Sequence, residues 1–100
     1  MEKLIKILAK IELFSGNDAR TWPINTGYRP LFNFENATTK ISGSIDLIGK
    51  SSFKPGEIGI VQINFIKGII DDNFFKIGSK FTFDEGANRL GHGEILERIE

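Results

Sequence analysis

Apolar and polar residues alternate with period two along most of this chain. In residues 3–14, Ile5, Ile7, Ala9, Ile11 and Leu13 alternate with Lys6, Lys10 and Glu12. Leu4, Leu8 and Ile11 also fit a helical stripe, but the period-two matches and the isoleucines predict a strand. Ser15-Gly16-Asn17-Asp18 has turn chemistry, and residues 19–26 read as irregular loop. Phe32 and Phe34 share one face of a short strand over 29–34, closed by a turn at Glu35-Asn36-Ala37. Ile41, Gly43, Ile45 and Leu47 alternate with Ser42, Ser44 and Asp46, the pattern of a half-buried strand. Residues 49–56 read as loop, with Pro55-Gly56 suited to the centre of a type II turn. Val61, Ile63 and Phe65, with Gln62 and Asn64 between them, predict the longest strand, 58–66. Residues 69–78 read as loop with a short extra strand near Phe74-Phe75. Phe81-Thr82-Phe83 predicts a strand and Glu85-Gly86-Ala87-Asn88 a hairpin turn. The last strand spans 89–99, where Gly91 and Gly93 mark a bend or a close backbone approach.

Short strands at near-regular spacing, with Gly-rich turns and no helix-period segment, predict an all-β chain closed into an antiparallel barrel. The 100 residues fit one domain, 1–100, reading as a small protein in its own right. Thirteen basic residues balance thirteen acidic ones, so no global field draws the chain to nucleic acid or membrane. There is no cysteine, hence no disulfide framework or thiol chemistry, in keeping with a cytoplasmic setting. No apolar run approaches the ~20 residues that span a bilayer as a helix, and the N-terminus lacks signal-peptide features.

Catalytic constellations find little support. His92 is the single histidine and falls between two glycines of a strand, which suits a surface position on the barrel. Asp71, Asp72 and Glu85 lack metal-ligand spacing. Gly49-Lys50-Ser51 resembles the end of a phosphate-binding loop, but Ser44 stands where its first glycine is needed and Pro55-Gly56 blocks the following helix. No enzyme activity, nucleotide, metal or cofactor is expected. Arg20, Arg29, Lys67 and Arg89 lie at loops or strand ends, where a basic side chain can reach a phosphate.

Gly27-Tyr28-Arg29-Pro30 is preceded by Arg20-x-x-Pro23 and followed by Phe32-x-Phe34, Thr38-Thr39, Ser42-Gly43, Pro55-Gly56, Ile66-Lys67, Glu85-Gly86 and Gly91-x-Gly93. In that order and spacing the chain, from about Ile7 to Ile99, resembles the third, C-terminal domain of elongation factor Tu. The resemblance implies a six-stranded Greek-key barrel without catalysis of its own. In that family one face holds the T-stem backbone of aminoacyl-tRNA, and another packs on the GTPase domain and second barrel. Carried over by position, it implies an RNA-contacting set of Arg20, Arg29, Ser42, Lys67, Glu85 and Gly86.

Departures from the family pattern bear on that face. Leu31 replaces a glutamine that serves the interface with the GTPase domain, and Thr21 a histidine near the RNA. Asp84 stands where the family has an arginine, putting a negative charge beside the expected phosphate path. Two functions follow as expectations, beside a third reading as a structural or accessory domain, or an excised fragment, with no activity of its own. One is a translation-linked module contacting tRNA or another structured RNA through the T-stem-like face. The other is a protein-interaction module that mimics or binds elongation factor surfaces, or neutralises a partner that recognises them. It would use Trp22, Ile24, Tyr28 and Leu31 as an exposed apolar patch around Arg29.

Overall fold

The computed structural model describes residues 3–16 and 22–99. Its six strands are β1 (Leu4–Leu13), β2 (Leu31–Phe34), β3 (Ile41–Leu47), β4 (Ile58–Ile66), β5 (Lys80–Glu85) and β6 (Asn88–Arg98). They close into a barrel in the order β1-β4-β3-β2-β5-β6, and every neighbouring pair is antiparallel. The meander β2-β3-β4 is followed by β5, which returns to lie beside β2, a Greek-key connection.

The period-two pattern decides which side chains fill the barrel. Ile5, Ile7, Ala9, Ile11 and Leu13 point inward from β1, and all are buried. They meet Val61, Ile63 and Phe65 from β4 and a phenylalanine cluster from β2 and β5. Phe32 packs edge-on to Phe65 with ring centres 5.1 Å apart, and Phe34 packs on Phe65 and Phe81 at 5.6 and 5.5 Å. Burying each such ring contributes about 2 kcal/mol relative to leaving it in water. These buried side chains form one core cluster inside the barrel.

Gly91 and Gly93 let β6 run close against β1. A Cβ on Gly93 would lie 2.6 Å from the Lys10 carbonyl oxygen and 2.7 Å from Phe81. Gly56 adopts φ 90° in a turn closed by the Glu57 amide donating to Lys54 O (3.0 Å), matching the expected type II turn. The Glu57 carboxyl also accepts from Lys50 and from the Lys54 amide; these bonds, Lys50 first, hold its pKa below the usual glutamate value.

The segment after β4 departs from expectation. Instead of an extra strand, Asp72–Phe75 forms a 3-10 turn whose first amides are met by Asp71, which accepts from Asn73 N at 2.8 Å. Phe75 is fully buried against Phe34 and Phe65 at 5.2 and 5.0 Å, and so plugs one end of the barrel. Phe74 is only half-buried. A strand would send these neighbours to opposite faces of a sheet; here a single anchor suffices. The expected turn at Asn17-Asp18 lies outside the described residues.

Candidate binding surface

Alternation that sends Phe32 and Phe34 inward turns Leu31 and Asn33 outward. Leu31 pairs with Ser42 on one side and with Asp84 on the other. Asp84 in turn pairs with Arg89 across the β5–β6 hairpin, next to a bulge at Phe83/Asp84. Ser42, Leu31, Asp84 and Arg89 therefore form one row on the outside of the barrel. Leu31 is 40% exposed.

Asp84 is the single buried charged residue among the described residues, 4% exposed although it faces away from the core. Its neighbours cover it. Asn33 Nδ2 donates to Oδ2 at 2.7 Å, Lys40 Nζ to Oδ2 at 2.9 Å, and Arg89 Nε to Oδ1 at 3.1 Å. Asn33 Nδ2 also lies 3.4 Å from the Thr82 hydroxyl. Burial alone pushes the Asp84 carboxyl up, but bonds from Lys40, Arg89 and Asn33 outweigh it and leave its pKa below the ordinary aspartate value. The negative charge expected at this position is present, and it is enclosed by two cations and an amide.

The Gly27-Tyr28-Arg29-Pro30 run lies along the end of β3. Gly27 N donates to Ile45 O and Ile45 N to Tyr28 O, both at 2.8 Å. Gly27 takes φ 94°, which the turn into this pairing requires. The Tyr28 hydroxyl donates to Glu85, tying the run to the β5–β6 hairpin. Tyr28, Leu31, Ser42 and Glu85 are therefore joined directly or through the strand register, with Arg29 exposed beside Tyr28 and Gly86 in the adjoining turn at φ 60°.

Not every expected residue joins them. Ile24 is 1% exposed, its backbone bridged to Phe53 in both directions at 2.9 Å, so it belongs to the core and not to an exposed patch. Trp22 is 75% exposed. Lys67 sits 3.7 Å from Asp72, which also takes Arg98 at 3.6 Å, and no contact links Lys67 to the Asp84 cluster among the described residues. Arg20 and Thr21 lie outside the described residues. Asn33 and Lys40 were not expected; a lone polar residue between Phe32 and Phe34 was the available sign for Asn33.

His92 lies on the barrel exterior, 3.0 Å from Glu12 Oε1 and stacked 5.5 Å from Phe14. It edges an open furrow of about 840 Å3 across β1, β6 and β5, with Lys10, Thr82 and Glu94 beside it. Among the described residues no group of three or more His, Asp or Glu side chains is placed to hold a metal ion, and no helix is long and apolar enough to cross a membrane. No known family model matches the chain.

Proposed function

We propose that this barrel is a non-enzymatic binding module of the elongation factor Tu third-domain type, linked to translation, and that it meets a protein partner through the surface around Leu31. The observation that carries the proposal is the outer row that sets Leu31 between Ser42 and Asp84, with Tyr28 bonded to Glu85 alongside. Residues singled out at separate motif positions converge on one face of the barrel. In the family this barrel packs on the GTPase domain and second barrel, and Leu31 replaces a polar residue of that interface. Leu31 is exposed and Tyr28 and Arg29 precede it in the chain; aromatic residues and arginine are enriched at protein interfaces.

Charge favours protein over RNA. Asp84 stands between Lys40 and Arg89, so this group keeps one net positive charge from two cations, and Asp72 likewise engages Lys67 and Arg98. A nucleic-acid backbone is held by many such contacts, each adding to affinity and to its salt dependence. Arg29 supports the second reading, a structured-RNA partner: it is exposed and forms no ion pair among the described residues.

Two probes separate these readings. One is an elongation factor Tu fragment holding the GTPase domain and second barrel; the other is tRNA, each tested at ~50 and ~200 mM salt, a range over which phosphate-driven binding weakens steeply. Binding of the protein fragment, little affected by salt and abolished by Leu31→Gln, is expected. Salt-sensitive binding of tRNA alone would assign the surface to RNA. Binding of neither overturns the proposal.

A further inference from the structure

The Asp84 cluster holds two cations in place without using up their hydrogen-bonding capacity. Arg89 contacts Asp84 through Nε alone, at 3.1 Å, and its side chain remains 54% exposed. With Nε engaged, the opposite edge of the guanidinium presents two parallel N–H donors away from the carboxylate, the geometry that grips an oxyanion with both oxygens. Lys40 Nζ donates once to Asp84, at 2.9 Å, keeps two further donors, and is 48% exposed. Two cations around one buried anion leave a single positive charge. Asn33, donating to the same Asp84 oxygen as Lys40, fixes the carboxylate and through it both cations.

We propose that Lys40 and Arg89, positioned by Asp84, form an oxyanion site for a carboxylate carried on a protein segment, seated beside Leu31. The inference rests on the proposed protein-binding surface and names the chemistry of its partner: an acidic side chain with an apolar residue next to it. Leu31 decides for a peptide. It is directly opposite Asp84 in the β2–β5 register and 40% exposed, so a segment whose carboxylate is held by the cations flanking Asp84 can lay a neighbouring apolar side chain across the row onto leucine. One net charge matches one carboxylate, whereas a phosphate backbone has no apolar group to offer Leu31. The carboxylate that such a partner supplies also replaces the water lost from Arg89, so its affinity depends on the fork and not merely on charge.

The test is a titration of the intact, 15N-labelled chain followed by NMR. The probes are the peptide acetyl-Glu-Leu-Glu-Leu-amide, its Gln-Leu counterpart, and a short RNA hairpin. The expected result is saturable shifts at Leu31, Ser42 and Arg89 with the Glu-Leu peptide and none with the Gln-Leu peptide. Arg89→Lys keeps the charge and the pairing with Asp84 but loses the fork, and weakens binding by about fivefold or more; Leu31→Gln weakens it comparably. Amide spectra of both variants verify that the barrel is intact. Shifts at the same residues with the hairpin, insensitive to Leu31→Gln, would make this a phosphate site and overturn the inference. Failure of the peptide while the two-domain elongation factor fragment still binds removes the carboxylate site and leaves the protein-binding surface standing. Failure of both removes both.

Discussion

Gly93 of β6 lies so near Lys10 of β1 that a single methyl group at Gly93 would stand 2.6 Å from the Lys10 carbonyl oxygen. The obstacle is backbone on one side and the Phe81 and Ile11 side chains on the others, at 2.7 and 2.8 Å, so neither strand can give way cheaply. Gly93→Ala is expected to cost about 3 kcal/mol, the upper end for overpacking, read as a lowered urea midpoint. Gly86→Ala meets no atom within 4 Å, and its cost is limited to the strain of φ 60° for a residue with a side chain.

Asp84→Asn leaves Lys40 and Arg89 without the anion between them. Because both cations are half-exposed and can turn to water, the expected loss is about 2 kcal/mol, below that for a fully buried pair. The folded carboxyl titrates below the unfolded one. Its stabilisation is therefore complete above the ordinary aspartate range, near pH 4, and disappears as pH falls through the lower folded value. Glu57 adds to the same acid limb. The decisive measurement is the difference between wild type and Asp84→Asn in melting temperature against pH: it narrows below pH ~4, where the wild-type aspartate too becomes protonated.

Phe75→Ala removes the plug between Phe34 and Phe65. A destabilisation of about 3 kcal/mol is expected, typical of a phenylalanine cut from a core. Phe74→Ala, at the half-buried neighbour, costs clearly less. Equal losses in chemical denaturation would mean that both rings hold the 3-10 turn in place.

Leu31→Gln and Ile24→Gln look alike in sequence and differ in structure. The first changes stability within about 0.5 kcal/mol, as surface substitutions do; the second buries an amide among apolar groups and costs more than about 2 kcal/mol. Thermal melts of the two proteins check this directly. A stable Leu31→Gln protein is also what the binding experiments require.

Strands whose two faces see different surroundings were legible from the chain. Ile41–Leu47 alternates because one face is core and the other is water, and the bounds of both it and Ile58–Ile66 match the expectation; Ile58 and Ile60 are nevertheless exposed, and Asn88–Arg98, not Ile58–Ile66, is the longest strand. The 3-10 turn was not legible: Phe74-Phe75 carries no period, and only contact with Phe34 and Phe65 selects Phe75 as the buried one. Ile24 looked like part of an exposed apolar stretch beside Trp22, since its partner, Phe53, lies in a loop that no local pattern links to it. The enclosure of Asp84 was hidden for a similar reason. Its surroundings come from Asn33 and Lys40 on distant parts of the chain, and charge counted along a sequence says nothing of which charges will meet. Leu31 was legible as an outward position because Phe32 and Phe34 take the opposite face of the same strand.

Closure of the ring sets Leu13 of β1 beside Gly91 of β6, the first strand against the last. A nascent chain leaving the ribosome carries the β1 row Ile5, Ile7 and Ile11 from the start, but one of the two strands that will shield β1 is the final one made. Pairing across nearly the whole length makes loop closure the slow step of folding. Until β6 arrives, β1 is an open, isoleucine-rich sheet edge of the kind that invites mispairing between chains. The glycines that admit β6 so close to β1 thus matter beyond the finished packing: without them that edge could not be sealed at this spacing.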